Sequence, residues 1–213
     1  MASNYDITRD STELRFLNYD QEKMIQKFDL EHTEEFMFID FIGRHYRINR
    51  KSGRIEWSED GFQTVEHAKF NEVLSICDVL CDSKEDCHLS GSFCTVNNLK
   101  GTVRSAGLGD DFNVRYAKIF DGHEAELADA CEKLGGEKQK IGDVAYLLHP
   151  FRFLPIMLQF WGSDDEFPAS LKIMWDENAL SFLRYETTYY VVGHLIKRLM
   201  ELAGIQDDSV FLG

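Results

Sequence analysis

The residues best suited to chemistry crowd into one connection. In QFWGSDDEFPASLKIMWD, residues 159–176, Asp164, Asp165 and Glu166 stand side by side between Trp161 and Phe167–Pro168. Clustered carboxylates can hold a hard cation through oxygen, or act as general acid and base where their surroundings separate their pKa values. Along an extended run Asp164 and Glu166 point to one side and Asp165 to the other, so at most two share an ion without a tighter turn. No D-x-D-x-D-G calcium loop is present. Water screens the repulsion to about 1 kcal/mol per close pair, which a solvated connection tolerates. The stretch therefore reads as a solvated or structural turn, with a metal or acid–base site as the alternative.

In that alternative, a metal-assisted enzyme, Asp176 joins Asp164 and Glu166 as an oxygen ligand. Otherwise Asp176 caps a short helix opening at NALSFL. Trp161 either lies under a helix or forms a pocket wall, and core placement is the commoner fate of tryptophan. Trp161, Asp164, Glu166, Phe167 and Asp176 are together the candidate surface for a small ligand or a protein partner.

Other constellations assign less. Cys77, Cys81, Cys87 and Cys94 are spaced C-x3-C-x5-C-x6-C, without the C-x2-C knuckles of zinc ribbons and ferredoxin-like clusters. Cys77 and Cys81 also complete the apolar stripe of a helix, and no metal is assigned. None of the histidines at 32, 45, 67, 88, 123, 149 and 194 makes H-E-x-x-H. His194 shares a helical face with Tyr190, Lys197 and Glu201 and reads as a surface residue. His149, between LL and PF, reads as buried and bonded to backbone. There is no G-x-S-x-G elbow and no phosphate loop, and Gly107-Leu108-Gly109 runs into Asp110-Asp111, which repels phosphate. No catalytic residue and no cofactor emerges.

The elements that must position these residues alternate in period. Met24, Ile25 and Phe28 recur at helical spacing behind Asp20 as cap. FMFIDFIG, HYRI and RIEW then read as a short antiparallel meander. In its first strand both faces are apolar and need cover, for which a helix over 64–82 is the natural candidate. A helical stretch over 112–134 is broken near Asp121–Gly122 and stopped by Gly135–Gly136. Residues 144–149, 156–161 and 170–175 alternate as three strands of a half-buried sheet. Residues 186–203 form an amphipathic helix with Val192, Leu195, Leu199 and Leu202 on one stripe.

The composition narrows the function classes. The 213 residues are 44% hydrophobic and 13% aromatic, enough for a substantial core. A formal charge of −14 repels nucleic acid unless a local basic face reverses the field. No apolar run is long enough to span a membrane, and MASNYDITRD has no basic-then-apolar signal segment. With five cysteines, an odd number, the chain reads as cytoplasmic, its thiols reduced.

FIGRHYRINRKSGRIEW, LSGSFCTV, CEKLGGEKQKIGDVAYLL and LPIMLQFWGSDDEFPASLKIMWDENALSFL, ahead of a terminal amphipathic helix, resemble the domain of unknown function 3786 family of uncharacterised bacterial and archaeal proteins. The likeness covers about residues 20–202. Its most specific part is W-x-x-D-x-E-F-P, at Trp161, Asp164, Glu166, Phe167 and Pro168, with Asp176 after the next strand. The resemblance implies a place near anaerobic one-carbon or redox metabolism. Some relatives carry an appended four-cysteine iron–sulfur segment, a spacing the cysteines here do not reproduce.

The expectation is an α+β fold: an antiparallel sheet or two small meanders against amphipathic helices, closed by a C-terminal helix. Residues 1–213 form one domain in this reading, with 1–12 as a loose N-terminal segment.

Overall fold

The computed structural model describes residues 3–102 and 110–206, with backbone alone for 110–112. Gly107-Leu108-Gly109 lies outside the described residues. The architecture is α+β, built on two antiparallel sheets. The first runs β1 (Phe36–Phe41), β2 (Arg44–Asn49), β3 (Ile55–Ser58) and β4 (Glu66–His67) in sequence order. The second contains β5 (Phe93–Thr95), β6 (Glu137–Lys138), β7 (Val144–Phe151), β8 (Leu154–Trp161) and β9 (Ser170–Asp176) in the order β5-β9-β8-β7-β6.

The alternation in β8 and β9 works as the spacing predicts. Leu158 pairs with Ile173 and Phe160 with Leu171, while Ile156 faces Trp175. Ile156, Leu158 and Phe160 are fully buried, with Ile173 and Trp175 close to it. At about 25 cal/mol per Å² of apolar area, this inward row is a principal source of the sheet's stability.

Among the described residues six α-helices flank the sheets: α1 (Asn4–Phe16), α2 (Gln21–Phe28), α3 (Phe70–Asp82), α4 (Asp110–Phe120), α5 (Glu124–Lys133) and α6 (Tyr185–Ala203). α4 packs on β9, α5 on β7 and α6, and α3 on α1 and α6. The break expected near Asp121–Gly122 separates α4 from α5, and Gly135 follows α5 at φ +72°. Glu66 and His67, expected to open a helix over 64–82, instead pair with β3, and α3 begins at Phe70. No helix among the described residues is long and apolar enough to cross a membrane.

Three expectations change at the edges of the first sheet and in α6. Residues 1–12, read as loose, belong largely to α1, which is fastened by a capping box between Ser3 and Asp6. Its periodicity is hard to see because Glu13 is buried while Ile7 and Leu14 are exposed. Gly53, at φ +75° in the β2–β3 turn, lies so close to α1 that a Cβ there would sit 2.0 Å from the Glu13 carbonyl oxygen. Only glycine fits that approach.

The Phe36 and Phe38 face of β1 is covered by side chains and not by a helix: the Arg47 guanidinium lies 4.5 Å from the Phe36 ring and 4.7 Å from the Phe62 ring. His194 is not a surface residue. α6 is buried nearly all round, and the face read as polar packs inward, leaving His194 3% exposed.

Candidate functional site

The acidic connection is a tight turn and not an extended run. Asp164 closes it: its backbone N–H donates to the Phe167 carbonyl (3.0 Å), and its Oδ1 accepts from the backbone N–H groups of Glu166 (2.8 Å) and Phe167 (2.7 Å). Asp143 and Asp121 fasten the base by accepting from the Gly162 and Ser163 N–H groups at 2.9 Å each. Asp165 and Glu166 face solvent, and Phe167 is 66% exposed. Trp161 is half-buried, with the Lys172 ammonium 5.0 Å from its ring centroid.

Asp176 does not join them. It ends β9, seven residues long and about 20 Å from end to end at ~3.3 Å per residue. Its carboxylate accepts from the Ser90 N–H (3.0 and 2.9 Å), the Gly91 N–H (2.8 Å), the Ser90 hydroxyl (3.1 Å) and the Asn178 N–H (2.8 Å). The 3-10 turn Ala179–Ser181 has Asn178 at its N-cap position, so Asp176 holds the loop before β5 to the end of β9 and is not that turn's cap. Carboxylates this far apart cannot share one ion.

The structure gathers a different set of side chains where the two sheets meet. The β1–β2 hairpin turns through Ile42 and Gly43, at φ +47° and +69°. Ile42 is 2% exposed and donates its N–H to the Pro150 carbonyl at 2.9 Å, which ties the first sheet to β7. A β-branched residue at positive φ is strained, and such strain concentrates at functional sites. Beside this turn opens a cleft of about 610 Å³, whose lining includes Asp40, Arg44, His45, His149 and Arg152. His149 is exposed there, because it sits where the β7 register shifts between Leu148 and Phe151, which turns it out of the core.

Each polar group of the cleft is held from behind. His45 Nδ1 lies 2.7 Å from Asp40 Oδ1, and the ring stacks on Phe38 at 5.5 Å and 3°. Arg152 Nη2 donates to the carbonyls of Phe28 (3.1 Å) and Asp29 (3.2 Å) at the end of α2, with Asp29 Oδ2 at 3.4 Å. Its Nε and Nη1 are free in a side chain 69% exposed.

A family model described as Domain of unknown function (DUF3786) matches residues 20–198. The chain belongs to this family. No curated protein and no solved structure matches it. The DUF3786 match takes in the whole cleft and the acidic connection, and excludes α1.

Behind the cleft, within the DUF3786 region except for Glu201, lies a buried polar layer that the sequence pattern did not reveal. Glu72, 2% exposed, accepts from the Tyr46 hydroxyl (2.6 Å) and the Lys69 N–H (2.7 Å), with Arg44 Nη1 at 3.5 Å. Arg44 stacks over Trp57 at 3.7 Å and donates to Glu201 at 3.2 Å, and Arg198 donates to the same Glu201 oxygen at 2.6 Å. His194 lies flat against Phe41 (5.2 Å, 12°), with its Nε2 unpartnered and 3.8 Å from Glu72. Burial, reinforced by Arg44, Lys197, Arg198 and Lys69, pushes its pKa down to about 3. Burial and then Glu72 raise the Tyr46 phenol well above its usual value. Neither ring titrates near neutral pH, so the layer acts as rigid support that pins Arg44 and the hairpin turn.

One further set has ligand geometry. Asp10, Glu13 and His67 are the only three metal-binding side chains among the described residues whose ligand atoms all lie within 4.8 Å of one another. Protein donors already fill it: Glu13 Oε1 takes the Ile55 N–H (2.9 Å) and lies 2.8 Å from His67 Nε2, while Asp10 Oδ1 takes Arg9 Nε (2.8 Å). Cys77, Cys81, Cys87, Cys94 and Cys131 are free thiols. Burial contributes to raising the Cys77 thiol, after its hydrogen bond to Cys81, which suits a core side chain better than a ligand.

Proposed function

We propose that the chain is a binding module for a small molecule bearing an oxyanion, phosphate or carboxylate, seated in the cleft at the sheet junction. The observation that carries this is Arg152: two backbone carbonyls hold Nη2 of its guanidinium, leaving Nε–H and Nη1 as separate donors beside the cleft. A guanidinium fixed in advance loses little freedom on meeting an oxyanion, which either nitrogen can bond as a single charge-assisted donor. His45 and His149 line the same space, against the single carboxylate of Asp40. In a chain of net charge −14, Arg44 and Arg152 outnumber the lining carboxylate, although Asp29 pairs with Arg152 at 3.4 Å, and a local excess of cations favours an anion there. Arg44 adds its charge from behind, although Glu72 and Glu201 hold its head. No group here is arranged as a nucleophile, so the reading is binding and not turnover. A cytoplasmic setting without nucleic acid belongs to the same proposal and rests on composition.

The test is a titration of 15N-labelled protein with inorganic phosphate at constant ionic strength, with chloride as control and malonate to separate carboxylate from phosphate. The Arg152 Nε–Hε signal is expected to shift saturably. Arg152→Met, on an exposed turn, is expected to bind at least tenfold more weakly, about 1.4 kcal/mol, with unchanged melting. A response that chloride reproduces, or full affinity in the variant, defeats the proposal.

The acidic turn supports a second reading, a protein-docking surface made by Trp161, Asp164, Glu166 and Phe167. Phe167 stands exposed on a turn that Asp164 makes rigid, a shape suited to entering a partner's pocket rather than enclosing a ligand. If this holds, Phe167→Ser leaves stability within about 0.5 kcal/mol but abolishes capture of a cross-linked partner that the parent chain retains. Identical cross-linking patterns for the two chains reject it.

A further inference from the structure

Resting on the anion reading of the cleft at the sheet junction, we infer that its ligand is an aromatic oxyanion whose ring lies in an apolar compartment continuing from the cleft toward α2. The compartment measures about 250 Å³ and lies between the α2–β1 loop, β1 and the β7–β8 turn. Asp40, His45 and Arg152 line both spaces, so the two adjoin at these side chains. An oxyanion bonded to Arg152 therefore has the apolar compartment beside it.

The walls of the compartment stand ready. Leu30, Phe38 and Phe153 are half-buried, which leaves apolar surface open to an occupant, while Phe28 and Ile39 behind them belong to the core. Phe153 is held by its stack on Phe28, at 4.3 Å and 24°. The α2–β1 loop is tied to both hairpins: the Phe38 N–H donates to the Glu31 carbonyl at 2.9 Å, and Arg152 Nη2 donates to the Phe28 and Asp29 carbonyls. Walls fixed in this way lose little freedom when a ring enters.

Size and charge set the class of ligand. A cavity of roughly 150 Å³ is enough for benzene, so one ring fits here. Against Leu30, Phe38 and Phe153 that ring gains from leaving water, a gain that a bare oxyanion forgoes. Asp29, Glu31 and Asp40 also line the compartment, Asp29 paired with Arg152 and Asp40 with His45. Such carboxylates oppose a second anionic group on the ring, which favours a ligand with one oxyanion over a ligand with two.

The experiment presents each oxyanion on a ring and on a methyl group: phenyl phosphate against methyl phosphate, and benzoate against acetate. Titrations of 15N- and methyl-13C-labelled protein are run at constant ionic strength. The Arg152 Nε–Hε signal is expected to shift with both members of whichever pair the cleft accepts, and the Leu30 methyl signals with the ring form alone. The ring form is expected to bind at least tenfold more tightly, and a second carboxylate on the ring to weaken it. In Leu30→Trp, which fills the compartment, the advantage of the ring is expected to vanish. Equal affinity for ring and methyl forms, with the Arg152 signal still shifting, overturns this inference and leaves anion binding standing. No saturable shift with any of the four removes both. A doubly charged ring that binds as tightly as the singly charged one also overturns it. Should Leu30→Trp not fold, the Leu30 methyl signals of the parent chain decide the matter, since signals that stay still with phenyl phosphate and benzoate put the ring elsewhere.

Discussion

Between pH 7.5 and 4.5 the protein is expected to lose about 2–3 kcal/mol of stability through one side chain, and His194→Phe is expected to abolish that loss. The folded chain holds His194 neutral with a pKa of about 3, against 6.5 for the free side chain. Between those values the unfolded chain binds the extra proton and the folded chain does not. Stability therefore falls as the pH drops below about 6.5 and goes on falling toward pH 3. Arg44, Lys197, Arg198 and Lys69 oppose the charged ring, while Glu72 at 3.8 Å favours it. The cations prevail because Tyr46, the Lys69 N–H and Arg44 already draw on Glu72.

The window also isolates the effect. Glu56, Asp82 and Asp176 are held below their usual values; burial opposes this in each, but ion pairs and hydrogen bonds outweigh it. Their contributions are present above about pH 4 and lost below it. Phenylalanine keeps the stack on Phe41 and deletes the unpartnered Nε2. Urea unfolding at half-unit steps of pH gives the readout: the variant should lose no stability from 7.5 to 4.5, since Asp78, whose pKa burial raises, acts in the opposite sense, and a slope equal to the parent's assigns the acid limb elsewhere.

The same residue marks where periodicity stops being readable. β9 was legible because it buries alternate residues, and β7 and β8, buried on both faces over most of their length, were legible as apolar runs bounded by turns. α6 misled because α3 packs on one flank and α5 on another, so its face with His194 and Arg198 is internal although its residue types read as surface. Single-stripe reasoning assumes one covered face, and a helix between two layers breaks that assumption. α1 was missed for the opposite reason: it hides Glu13 and exposes Ile7 and Leu14, reversing the usual pattern. The acidic turn was legible as a strand connection. Its conformation was not, because Asp164 bonds its own backbone and curls what extension would have splayed.

The cleft was not read, since Asp40 and His45 belong to one hairpin and His149 and Arg152 to another, which the bond from Ile42 to Pro150 and the Phe41–Phe151 stack bring together. Two signals pointed that way. FIGR places Ile before Gly where a two-residue hairpin prefers Asn or Asp, and HPFR puts two basic residues at a strand turn of an acidic chain.

Asp176→Ala is expected to cost about 1.5–3 kcal/mol, the range for hydrogen bonds to a charged group whose loss leaves buried donors unsatisfied. The carboxylate is 1% exposed and takes donors from Ser90, Gly91 and Asn178. Burial works against its ionised form, yet those donors more than offset it and hold the pKa below the usual carboxylate range. Alanine leaves three backbone N–H groups facing one another without an acceptor. Asparagine restores one oxygen but points an amide N–H₂ at further donors, so it should recover little. Were Asp176 a ligand residue, deleting its charge would instead leave stability unchanged or raise it, as removal of repelling carboxylates does. Beyond global stability, amide exchange at Ser90, Gly91 and Asn178 is expected to accelerate more than tenfold as the loop opens locally. The loosening should travel one step further: β5 pairs with β9 through Phe93–Asp176 and Cys94–Trp175, so amide exchange along β5 should also accelerate. Phosphate binding at the distant sheet junction should persist wherever the chain remains folded.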